Sequence, residues 1–223
     1  MNNSPTNASK PTLACLPLLL LGMTAAQAST TSAELRVTGS IAPAGSCEVK
    51  VGDGRVDFGA VELDPDPTKP TSLEERVKMT VTCTVARRYA LIAGSSSSTG
   101  TNNPNDFGLV STDGRSSVGS LFVRLDSSSD HIEGVRAYHT GADASLDLAN
   151  ATWGPSTRST WPLSVGTHAI GFVSEDGSYA TPSPIRNFDT YLLVHPMIKP
   201  ANELDRRDEI AFYGDLGFEI RYF

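Results

Sequence analysis

The 223-residue chain has little of what enzymes usually show. It carries three cysteines, four histidines and two tryptophans, and aromatic residues make up only 7% of it. The histidines, His131, His139, His168 and His195, are scattered. No G-x-S-x-G, H-E-x-x-H or P-loop pattern occurs, so the common signatures of esterases, zinc peptidases and NTPases are missing. There is no basic stripe, and the net charge is −7; both argue against nucleic acid as a partner. Helical periodicity is almost absent. Beyond the first apolar run, no apolar stretch is long enough to cross a membrane as a helix. The expectation is therefore a non-enzymatic chain with no catalytic residues, no metal and no cofactor.

The first 28 residues form a pattern of their own. A polar stretch with one cation, Lys10, precedes an apolar run from Leu13 to Leu21, and small residues end in Ala26-Gln27-Ala28. This is the layout of a secretory signal peptide, 1–28, cleaved after about Ala28. Removing it takes away Lys10 and Cys15, leaving 17 basic against 25 acidic residues. Two cysteines remain, Cys47 and Cys83. In an exported chain these are expected to pair, with a stabilisation of roughly 3–4 kcal/mol on the chain-entropy model. Two isolated thiols fall short of a metal site.

The remaining chain alternates apolar and polar residues in short runs, broken by Gly, Pro, Asp, Asn and Ser. That pattern predicts an all-β sandwich. The clearest run is Val77–Val85, with Val77, Met79, Val81, Cys83 and Val85 on one face. Further strands are predicted at 47–51, 55–61, 89–93, 118–126, 132–139, 168–174, 191–198 and 217–223. Turns are expected at Gly52-Asp53-Gly54, Asp113-Gly114 and Asp176-Gly177. Gly94–Asn105 and the proline-rich Asp64–Pro70 read as loops. The stretch Thr140–Pro162, with Trp153 and Trp161, has no clear pattern.

Three segments carry functional information. After the signal, Ala33, Leu35, Val37, Gly39 and Ile41 alternate with polar residues. The glycine within that apolar series lets the backbone approach a partner closely. Next come Cys47 and, about 36 residues later, Cys83, each in an alternating run. Last is the C-terminal Gly217–Phe223, where Phe218, Ile220 and Tyr222 share a face. An apolar strand that ends the chain is a natural edge, open to pairing with another chain.

Together these segments resemble the chaperone–usher pilin subunits of bacterial fimbriae, in a divergent fimbrial-like branch. The resemblance covers the first third of the exported chain and its last seven residues. The glycine that pilins carry shortly before the last strand stands here as Ile210, with Gly214 and Gly217 nearby. The resemblance implies an immunoglobulin-like, pilin-type β-sandwich over 46–223 that is incomplete and is completed by a donor strand. It implies that 29–45 is the donor extension, with Ala33, Leu35, Val37, Gly39 and Ile41 binding a neighbouring subunit. It also implies that Phe218, Ile220, Tyr222 and Phe223 line the receiving groove and meet the chaperone. The implied partners are a periplasmic chaperone, an outer-membrane usher and neighbouring fimbrial subunits, with export through the periplasm to the cell surface.

Three alternatives stay open on the sequence. One is a sugar-binding tip adhesin that stacks sugars on Trp153 and Trp161 near Asn150. Another is an exported hydrolase, and the third is an unrelated periplasmic sandwich.

Overall fold

The computed structural model describes residues 45–95, 103–177, 179, 181–204 and 210–223. The signal segment and the predicted donor residues Ala33, Leu35, Val37, Gly39 and Ile41 lie outside the described residues.

The fold is an all-β sandwich of antiparallel sheets. Its strands are β1 (Cys47–Val51), β2 (Thr71–Ser72), β3 (Glu75–Arg87), β4 (Tyr89–Gly94), β5 (Leu109–Ser111), β6 (Ser117–Leu125) and β7 (His131–Ile132). They continue with β8 (Val135–Arg136), β9 (Tyr138–Asp143), β10 (Trp161–Pro162), β11 (His168–Val173), β12 (Ile185–Ile198), β13 (Phe212–Tyr213) and β14 (Gly217–Tyr222). Sheet A runs β1-β3-β12-β6-β5-β13, with β2, β7, β8 and β10 attached. Sheet B runs β14-β4-β11-β9. No helix among the described residues is long and apolar enough to cross a membrane.

Period-two alternation explains the core. Met79 and Val81 of β3, Val123 and Leu125 of β6, and Phe188 and Leu192 of β12 turn inward from sheet A. Tyr89 and Leu91 of β4, with Ile170 and Phe172 of β11, meet them from sheet B. Phe172 and Phe188 stack across the interface at 3.8 Å between ring centroids. Burying such side chains supplies the main driving force for folding, at about 25 cal/mol per Å² of apolar surface. Cys47 and Cys83 are direct register partners between β1 and β3 and form a disulfide.

Two predicted strands are corrected. Residues 55–61 alternate but pair with nothing as a strand. Locally, the Asp57 carboxylate accepts the Gly59 N–H at 2.9 Å, and Gly59 takes φ +61°. This side-chain turn competes with a ladder. Residues 132–139 are not one strand either. Glu133 (φ 50°) and Gly134 (φ 79°) form a two-residue turn that folds β8 back onto β7, as a tight hairpin requires.

The unassigned stretch Thr140–Pro162 closes sheet B. After β9 the chain crosses the outer face of that sheet and returns along the edge of β9. There Gly154 N–H donates to Gly141 O at 2.9 Å, and Thr157 exchanges backbone bonds with His139 at 2.9 and 3.1 Å. Trp153 is 2% exposed and packs in a second cluster with Ala90, Ile92, Ala142 and Ala169.

Candidate functional site: an open groove between two sheet ends

β1 ends sheet A and β14 ends sheet B. Among the described residues, each has a strand on one side only: β3 for β1 and β4 for β14. At one end the two edges are tied together, because Cys47 N–H donates to the Tyr222 hydroxyl at 2.8 Å. The Arg87 guanidinium lies over the Tyr222 ring, 5.4 Å from its centroid. Toward the other end the sandwich opens into a groove of about 1110 Å³.

The groove is floored by inner-face side chains of sheet A, among them Leu121, Val123, Leu192 and Val194. One wall is the segment 54–61 and the other is 210–216. Floor and walls are mainly aliphatic and aromatic, the surface an extended apolar segment would cover. Leu216 leads directly into β14, so the wall continues as a backbone edge with no strand beside it among the described residues. Unpaired N–H and C=O groups beside exposed apolar side chains make a template for an added strand.

The expected receiving residues are placed as follows. Phe218 and Ile220 are half-buried and pack on the core next to the groove, without lining it. Tyr222 is 41% exposed and closes the far end. Phe223 lies on the opposite face of sheet B, stacked on Trp153 at 5.5 Å. The lining residues Ile210, Phe212 and Leu216 were not among the expected receiving residues. A signal for them exists: Ile210, Phe212, Gly214, Leu216, Phe218, Ile220 and Tyr222 continue a single period of two. A Cβ on Gly214 would come within 2.8 Å of Gly108 O, so the chain changes sheets, from β13 to β14, where only glycine fits.

Tyr89, the register partner of Tyr222, is 1% exposed and its hydroxyl has no partner among the described residues. Burial pushes its pKa up, and Glu133 and Tyr222 add to the shift. Tyr89 therefore stays neutral beside the tied end.

The adhesin and hydrolase alternatives meet particular obstacles. Trp153 is buried on the outer face of sheet B. Trp161 packs on the inner core, with its ring edge-on to His139 at 5.0 Å. The two indoles thus belong to different clusters and form no shared platform. His131 and His139 stand in different sheets, and no group of three or more metal-ligating side chains occurs among the described residues. On the outer face of sheet A, Ser72 Oγ lies 2.7 Å from His195 Nε2, and His195 Nδ1 lies 3.4 Å from Glu74. This has the connectivity of a Ser-His-acid relay. However, Glu74 is half exposed and shared with Arg124 at 3.3 Å. The Leu73 N–H next to Ser72 is already given to Pro196 O, so it cannot serve as an oxyanion donor.

No protein-family model matches the chain, and no curated protein sequence matches it.

Proposed function

We propose that this chain is a structural subunit of a bacterial surface fimbria assembled by donor-strand exchange. The observation that carries the reading is the open apolar groove whose wall, at Leu216, leads into β14, an edge with no second strand beside it among the described residues. A strand laid there would gain a backbone ladder and a hydrophobic seat together, which is the strand-addition mode by which chaperones and pilins complement one another. The segment with matching chemistry is Ala33–Ile41 of another copy or of a companion subunit. Leu35, Val37 and Ile41 at ~1.5–3 kcal/mol each give roughly 5–9 kcal/mol before ordering costs. Alternation sets the register, since a slip of one residue would present Arg36 and Thr38 to the groove. Before assembly, a periplasmic chaperone would cover the groove, and an outer-membrane usher would mediate the exchange.

The test is expression with periplasmic purification. The wild-type chain is expected to bring down a chaperone-sized partner and to form polymers. Val37→Asp should keep the partner and lose the polymer. A chain that purifies alone as a stable monomer, with Val37→Asp behaving like wild type, overturns the proposal.

A further inference from the structure

We infer that the excursion between β9 and β10 is a brace that holds the edge strand β14 in place from behind, with Phe223 as the coupling residue. Among the described residues β14 has a ladder on one side only, and a strand held by one ladder has few contacts to keep it extended. On the inner face, Phe218 and Ile220 supply half-buried contacts, and at the tied end the Tyr222 hydroxyl accepts from Cys47 N–H. The other face carries two anchors, and both belong to the same excursion. The Phe223 ring stacks on Trp153 at 5.5 Å and 24°. The Arg221 guanidinium donates to Ala144 O.

Trp153 is itself fixed by sheet B. It lies over Gly171 of β11, where a Cβ would come 3.0 Å from the indole and 2.1 Å from Pro182. The ring position is thus set by a missing side chain, and Trp153 is almost fully buried. Through Trp153, the end of β14 is tied to β11 and β9 as well as to its ladder partner β4. A receiving edge kept extended in advance lowers the ordering cost of whatever strand pairs with it. That role rests on the proposed function; the brace itself rests on the contacts.

Hydrogen exchange on the full chain separates the two. Phe223→Ala is expected to speed exchange across all of Phe218–Tyr222 by between about threefold and tenfold, the range a lost aromatic pair supports. β11 should stay unchanged, and Phe223→Tyr should restore protection. Trp153→Phe, which keeps a ring but leaves a gap over Gly171, should speed exchange along β14 by less than Phe223→Ala does. An increase confined to the last two residues, or none, overturns the brace. A synthetic peptide of residues 33–41 added in excess is the second arm. Protection along β14 that Phe223→Ala weakens by a similar factor supports the link to the groove. If the wild-type chain gains no protection from the peptide, the fimbrial reading falls, while the exchange contrast still decides the brace.

Discussion

Sheet B ends in two strands, and the chain finishes them in opposite ways. At β9, residues 154–157 return along the edge and satisfy its backbone groups at Gly141 and His139. Beneath that edge, Asp130 accepts from the Thr190 hydroxyl at 2.5 Å and faces His139 Nδ1 at 3.4 Å, with Asp130 and His139 fully buried. At β14, the outward edge has no strand beside it among the described residues, and an apolar groove opens just before its start, at Ile210–Leu216. A chain that seals one end so thoroughly is not short of the means to seal the other. This open end, as it stands among the described residues, is what the proposed receiving site rests on.

The sharpest way to break the comparison is to disrupt the sealed end. Asp130→Ala leaves the Thr190 hydroxyl and the His139 ring N–H buried without their partner. The expected loss is about 3 kcal/mol, in the range for orphaned buried polar groups, read as a lower denaturant midpoint. The groove should behave otherwise. Phe212→Ser exchanges a half-buried groove side chain and should cost about 1 kcal/mol in stability, as partial burial implies. Binding of the 33–41 peptide should drop at least tenfold. If Phe212→Ser destabilises the chain as much as Asp130→Ala, the groove wall is core and the two ends do not differ.

Much of this was legible in the sequence, for local reasons. Alternation marked β1, β3 and β14, short apolar runs marked β4 and β6, and the turns at Asp113-Gly114 and Asp176-Gly177 fall between strands. Cys47 and Cys83 form the expected disulfide. What could not be read depends on distant partners. The start of β12 hides because a register shift between Ile185 and Asn187 breaks its period. The brace hides because its fit is set by small residues elsewhere: Gly171 beneath Trp153, and Gly141, whose Cβ would lie 3.1 Å from Trp161. The groove was half visible. Its C-terminal wall continues the alternation that marked β14, but the change of sheet at Gly214 becomes meaningful only once both sheets exist.

The smallest effect comes from the hairpin on the sealed side. Glu133 bonds the Asn187 side-chain amide at 2.9 Å and the backbone N–H groups of Asn187 and Arg186 at 2.7 and 2.8 Å, at the bulge of β12. The Asn187 amide, then the Asn187 N–H, hold its carboxyl below the ordinary value of 4.5 despite a small opposing desolvation. A folded pKa below the unfolded one contributes stability that is full above about 4.5, fades as pH falls through that value, and is gone below the folded pKa. Glu133→Gln should therefore lower stability at pH 7 by less than about 1 kcal/mol, because the group is exposed, read as a slightly lower denaturant midpoint. The difference from wild type should close in acid. A gap that stays open at low pH would assign the role of Glu133 to the positive-φ turn it occupies, and the charge on the sealed side would then contribute nothing to the contrast with the groove.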